Sequence, residues 1–166
     1  MRIENAADYP EFIATIARWH WDEWGHADPA GSLEAWIAAL QERAHPTCVP
    51  MTFVALDARG APLGSVTIVK HDMPDRADLR HLTPWIAGTF VLGSERRKGI
   101  GTTLLRHAVT EASRLGVRNL FLYTSSARRF YQRLGWTAVR NDSYEGESVT
   151  IMTLRINGDS ADRRGW

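Results

Sequence analysis

The stretch Phe90–Thr103, FVLGSERRKGIGTT, constrains this chain more than any other. An apolar run with strand character leads into a basic, glycine-containing loop. That loop opens a helix over Ile100 to Leu115 in which Leu104, Leu105, Ala108, Val109, Ala112 and Leu115 make one apolar stripe. Gly116 supplies its stop. The first amides of such a helix have no intrahelical acceptor and stand at the positive end of its dipole, so they form an anion site. Gly99 and Gly101 let the backbone turn sharply and approach a ligand with no Cβ in the way. Arg96, Arg97 and Lys98 add positive charge at that mouth. The whole chain has a formal net charge of +1, so the basic character is local and predicts neither a nucleic-acid nor a membrane partner.

The remaining pattern places this unit inside a mixed α/β domain. Met1 to Glu4 reads as an edge strand and Tyr9 to Trp24 as a helix stopped by Gly25. Ser32 is a natural N-cap for a second helix carrying Leu33, Trp36, Ile37 and Leu40, which ends before Pro46. Two β-rich runs, Met51 to Leu56 and Leu63 to Val69, flank a turn with the Asp, Gly and Pro of Asp57–Pro62. Residues 72 to 82 are charged and loop-like, and Thr83 to Leu92 reads as a buried strand. Further strands are expected over Val117–Tyr123, Trp136–Arg140 and Ser148–Ile156, with a short helix from Ser125 to Leu134. The expected organisation is one domain over residues 1–156 and a loose polar tail over 157–166.

Three phosphate-binding patterns compete for the loop. A P-loop requires Gly-Lys-Ser/Thr, but Lys98 precedes Gly99 instead of following it, which disfavours a nucleotide-binding switch. The dinucleotide pattern requires a third glycine where this chain has Leu104. Arg/Gln-x-x-Gly-x-Gly/Ala fits, with Arg96, Gly99 and Gly101 in the required places. A second block, Thr124 to Trp136 (TSSARRFYQRLGW), lies one helix and one strand downstream. Together, at that spacing, the two blocks resemble those of the GNAT N-acetyltransferases, over roughly residues 50 to 155.

That resemblance implies a mixed, mostly antiparallel central sheet flanked by helices, with acetyl-CoA as co-substrate and no metal. It implies that backbone groups of Phe90, Val91 and Leu92 pair with the pantetheine arm, and that amides of Arg97, Lys98, Gly99, Ile100, Gly101 and Thr102 hold the pyrophosphate, with Arg96 in the same loop. The second block often opens with Asn where this chain has Thr124, whose hydroxyl could replace the Asn contact to the cofactor arm or cap the helix. Tyr131 is the implied proton donor to the leaving thiolate. The base that takes the ammonium proton is harder to place; among His71, Asp72, Asp75, Asp78 and His81, Asp72 is the first choice, because it should stand at a sheet end near the cofactor strand.

The acceptor stays open between a small amine, the leading choice, and a protein N-terminus or lysine. A non-catalytic acyl-CoA sensor is the alternative of another class. Direct attack in a ternary complex is preferred to a covalent route through Cys48, the only cysteine, around which nothing suggests an activated thiolate. His20, Asp22, Glu23 and His26 match no zinc spacing. Of Trp19, Trp21, Trp24 and Trp85, one or two are expected to line an acceptor pocket, the others to pack in the core. The acidic N-terminal segment lacks signal-peptide order, and no apolar run approaches the ~20 residues of a membrane span, so a cytoplasmic location is expected. A homodimer is compatible with the resemblance, though no motif requires one.

Overall fold

The computed structural model describes residues 1–156, so the expected loose tail, 157–166, lies outside the described residues. The elements run β1 (Arg2–Asn5), α1 (Ile13–Trp24), α2 (Leu33–Glu42), β2 (Met51–Leu56), β3 (Pro62–Val69), β4 (Trp85–Val91), α3 (Ile100–Arg114), β5 (Asn119–Thr124), α4 (Arg128–Arg133), β6 (Thr137–Tyr144) and β7 (Glu147–Arg155). Seven strands form one sheet in the order β1-β2-β3-β4-β5-β7-β6. Every neighbouring pair is antiparallel except β4 and β5.

Alternating side chains distribute the core over both faces of this sheet. Met51, Phe53, Val66, Ile68, Ile86, Leu120, Leu122 and Met152 face the apolar stripe of α3, where Leu104 and Ala108 are fully buried, and the inner side of α4. Val54 and Leu56 point the other way, onto Ile13, Ile16 and Ala17 of α1 and Leu40 of α2. On that same second face, Trp85 and Ala87 of β4 and Ile151 of β7 pack with Met73 and Leu79. Residues 72 to 82 therefore form an anchored loop, pinned by two buried side chains and by Arg76, which bonds both Asp78 and Asp142 of β6.

Several local signals act as expected. Ser32 Oγ accepts from the Ala35 amide, and Asp57 Oδ1 accepts from the amides of Arg59 and Ala61 to close the β2–β3 turn. Gly116 sits at φ 78° past the end of α3, and the Val117 amide reaches back to Ala112 O. Other bounds differ. Pro10 starts a separate 3-10 turn, so α1 begins at Ile13 rather than near Tyr9. The short helix begins at Arg128 rather than Ser125, because the Thr124 hydroxyl accepts the Ala127 amide and holds residues 125–127 in a turn. β6 extends to Tyr144, beyond the expected Arg140, since Glu145 (φ 50°) and Gly146 (φ 81°) make a two-residue hairpin turn that prolongs the ladder with β7.

Candidate active site

Between β4 and β5 the sheet comes apart. Their ladder has one paired position, Trp85 opposite Phe121, supplemented by the Phe121 amide on Pro84 O. Beyond it the two strands diverge. β4 is also bulged: Ser65 pairs with Phe90 and Thr67 with Ala87, so Gly88 and Thr89 together oppose Val66. Gly88 takes φ 54° there. The bulge inverts the side-chain alternation, turning Thr89 toward Tyr131 of α4 and Phe90 toward α1, where Trp19 stacks on it at 5.4 Å and Trp24 meets it edge-on.

The three backbone positions expected at this edge are not equivalent. The Leu92 amide donates to Leu63 O, and Leu92 O accepts from the Glu95 amide, so Leu92 is committed within the chain and does not offer the free groups the sequence suggested. With Leu92 bonded to β3, antiparallel alternation turns Phe90 toward β3 as well and leaves Val91 facing the gap. Val91 O accepts from Arg96 Nε at 3.0 Å.

The loop that follows reads as a row of unused donors. Arg97 (φ 65°) and Gly99 (φ 84°) are both left-handed on either side of Lys98, a turn that aims successive amides to one side. Among the described residues, no backbone acceptor bonds the amides of Arg97, Lys98 or Gly99, and those of Ile100, Gly101 and Thr102 form the first turn of α3. The cationic side chains are placed less simply than the sequence implied. Arg96 lies over the Phe90 ring and pairs with Glu23 of α1, and Lys98 pairs with Glu95. Arg96 thus ties the loop to α1 and β4, and Arg97 is the loop cation without an ion pair among the described residues.

At the other end of the gap stands Tyr131, 8% exposed, its ring packed edge-to-face against Phe130 and Trp136. Burial raises its pKa; the neighbouring Thr89 hydroxyl opposes that rise and the charge of Asp72 adds to it. Thr89 Oγ1 is itself buried with no hydrogen-bond partner among the described residues, so its alignment with the phenol falls short of a bond. Asp72 follows β3, and the structure brings it and Tyr131 within electrostatic reach of each other. Burial pushes its carboxyl up to about 7, against the pull of the Arg43 guanidinium and with a further push from Glu145. Tyr123 and Tyr144 surround the same carboxyl, and their hydroxyls are raised by burial first and by its charge among other causes. Tyr144 donates to Asp75, and Glu145 has a raised pKa from burial and the nearby acids Asp75, Asp28 and Glu147.

The sequence profile of the acetyltransferase (GNAT) family matches residues 13–136, three quarters of the chain and both blocks. The chain belongs to the GNAT acetyltransferase family. No curated protein matches its sequence. Solved structures of GNAT acetyltransferases share its fold at low identity. An aminoglycoside 6'-N-acetyltransferase complexed with coenzyme A is 15% identical, with 93% of this chain and 97% of that one covered and a TM-score of 0.72. A putative acetyltransferase, yncA, from Salmonella typhimurium with its cofactor acetyl-CoA is 20% identical, with coverage of 97% and 96% and a TM-score of 0.68. A chimeric spermidine N-acetyltransferase from Vibrio cholerae is 15% identical, with coverage of 93% and 94% and a TM-score of 0.67.

Within this GNAT fold, other side chains that carried no sequence signal crowd the same strand. His20 of α1 is buried against Gly88 and bonded to Ser65, and the Thr89 hydroxyl faces Tyr131. Neither has a motif; a histidine on the inner face of an amphipathic helix is the only hint. Of the tryptophans, Trp19 and Trp24 lie against β4, Trp21 packs edge-on against Trp36, and Trp85 is core. Of the four residues weighed as metal ligands, three part company: His20 points to β4, Glu23 pairs with Arg96, and His26 lies 3.9 Å from Glu147. Cys48 is exposed, its sulfur 3.2 Å from His45 Nδ1. Among the described residues, no helix is long and apolar enough to cross a membrane.

Proposed function

We propose that this GNAT acetyltransferase moves the acetyl group of acetyl-CoA to a primary amine of a small molecule, by direct attack in a ternary complex. The observation that carries the reading is the run of amides from Arg97 to Thr102, without backbone acceptors among the described residues, at one end of the β4/β5 gap, with Tyr131 and Asp72 at the other. A diphosphate satisfies donors at a helix start, and Val91, its carbonyl taken by Arg96 Nε, offers its amide N–H to an extended amide-bearing arm in the gap. Asp72, titrating near neutrality, takes one proton of the incoming ammonium, and the amine attacks the thioester carbonyl. The C–S bond breaks with Tyr131 hydrogen-bonded to the departing sulfur, and the second nitrogen proton passes to that sulfur, so that CoA leaves as the thiol. The Thr124 hydroxyl, where the family often has Asn, accepts the Ala127 amide and holds the turn that leads into α4.

A small cationic acceptor suits the surroundings of Asp72. Asp75, Glu145 and Glu147 come from two segments toward the same region, and burial first, then the like charges there, raise the pKa of Glu145. The neighbours named for aminoglycosides and spermidine also act on small amines. Titration calorimetry with CoA and acetyl-CoA, followed by release of free thiol across a panel of amines, tests the reading. Heat without thiol release from any amine would leave an acyl-CoA sensor; absence of heat with both ligands would end the assignment.

The two loop glycines separate folding from binding. A Cβ on Gly101 meets Phe130 and Val91 at an ordinary 3.6 Å, and the family pattern allows Ala there. Gly101→Ala is expected to bind CoA within about threefold of the parent and to gain up to ~1 kcal/mol from helix propensity. Gly99 has open space around it but φ 84°, so Gly99→Ala either bears ~1–2 kcal/mol of left-handed strain or shifts the amides it carries. Its CoA Kd is expected to rise by roughly tenfold, a step of about 1.4 kcal/mol. Calorimetry on both variants, beside thermal melts, checks the contrast.

A further inference from the structure

The bulge of β4 is built around a histidine. Ser65 Oγ lies 2.9 Å from His20 Nε2 and donates to Gly88 O at 3.3 Å. A serine hydroxyl has one proton, and with that proton on the Gly88 carbonyl, which can only accept, a neutral His20 carrying hydrogen on Nε2 donates to Ser65. The result is a relay from α1 through β3 to the carbonyl at the bulge of β4. Burial, helped by the Arg43 guanidinium and opposed by the Gly88 carbonyl, lowers the imidazole pKa to about 4, which keeps the ring in the neutral form near pH 7. Shape completes the lock. A Cβ on Gly88 would stand 2.8 Å from His20 Cε1, so the ring occupies the space that a side chain at position 88 would need. Trp24 and Phe90 hold the ring at centroid distances of 5.1 and 6.4 Å.

We propose that His20 is a positioning residue, which through Ser65 holds the Gly88–Thr89 bulge and so fixes the edge of β4 that faces the thioester. Strands have a side-chain period of two, so a bulge that relaxed into a regular ladder would exchange the faces of its neighbours. Thr89 would leave Tyr131, and Phe90 would leave Trp19, Trp24 and Arg96. The loop amides lie beyond this point, in the Arg97–Gly99 turn and the start of α3, and keep that local geometry although Arg96 loses its Phe90 contact. Chemistry should therefore suffer while CoA binding persists. The kinetic part of the inference rests on the acetyl-transfer reading; the structural part does not.

Three variants test it: His20→Phe keeps a ring without the donor, His20→Gln restores an N–H near the position of Nε2, and Ser65→Ala removes the link alone. In His20→Phe and Ser65→Ala, kcat at saturating acetyl-CoA is expected to fall by roughly tenfold to a hundredfold, with the CoA Kd within about threefold of the parent. His20→Gln should recover most of that loss. In the ligand-free protein, amide exchange at residues 88–91 should accelerate by roughly tenfold in the first two variants while that of α3 stays unchanged. The proposal is overturned if His20→Phe keeps both its kcat and its slow exchange, or if His20→Gln falls as far as His20→Phe. Should His20→Phe fail to fold, Ser65→Ala carries the same test. Should the parent protein turn over no amine at all, the acetyl-transfer reading fails, and the exchange measurement alone decides the role of His20.

Discussion

Tyr131→Phe is expected to lower kcat by about a hundredfold or more while the CoA Kd stays within about twofold. The substitution removes one oxygen. The ring keeps its contacts with Phe130 and Trp136, and the nearby Thr89 hydroxyl makes no hydrogen bond to it or to any other group among the described residues, so stability should hardly move. The raised pKa defines how the group acts. The phenol keeps its proton throughout the physiological range, which makes it a donor and never a base. A thiol titrates near ~8.5, below the phenol, so complete transfer to a free thiolate is uphill. The useful work is a hydrogen bond that strengthens as charge builds on sulfur, which is stabilisation specific to the transition state. Thiol release at saturating levels of both substrates, with calorimetry on the same preparations, checks the split. A kcat within about twofold of the parent would remove Tyr131 from the mechanism.

Asp72→Asn should act on activity and stability in opposite directions. A base must be ionised, and the Asp72 carboxyl is pushed up to about 7, so kcat/KM of the parent should rise through that pH and level off above it. The acceptor ammonium titrates separately, near ~10 for an alkyl amine. In the Asn variant the limb near 7 is expected to vanish and the plateau to drop by about a hundredfold. For stability, the folded carboxyl holds its proton up to about 7 while an unfolded one releases it near 3.8. The folded state thus binds more protons across that window, and the parent loses stability as pH climbs through it. Above pH 7 the penalty is constant. Asp72 keeps some contact with water, so the penalty is well below the full linkage value, and Asp72→Asn should be ~1–2 kcal/mol more stable than the parent at pH 8. At pH 3 the two should melt alike. Urea denaturation at both pH values, beside the pH–rate profiles, tests the pair. A limb that survives in the Asn variant would place the base elsewhere.

Much of this molecule was legible before any coordinates, and the reasons differ by element. The α3 stripe and its Gly116 stop declare themselves because one face is apolar and the other is not. β2 and β3 read as strands because both carry continuous β-rich runs. β6 was read short because its outer half, Asn141 to Tyr144, is polar and exposed at the sheet edge, where no core imposes a pattern. Loop amides at 97–102 could be placed by two glycines and a helix start, but the partners of Arg96 and Lys98 could not, since ion pairs such as Arg96–Glu23 join residues far apart in sequence. Asp72 was reachable only through its position at a strand end. The bulge at Gly88–Thr89 was invisible, because it is made by a contact between that glycine and a histidine sixty-eight positions earlier. Local pattern reports elements and ends; it does not report which distant side chain fills a missing one.

A sheet joined at a single rung behaves as two panels, β1 to β4 and β5 to β7, with a slot between them. Helix α3 packs on β2, β3 and β4, on one side of the slot, and little backbone bonding crosses it. On the proposed reading, an extended cofactor arm laid into the slot would stand where an eighth strand would, and each turnover would alternate a split sheet with a bridged one.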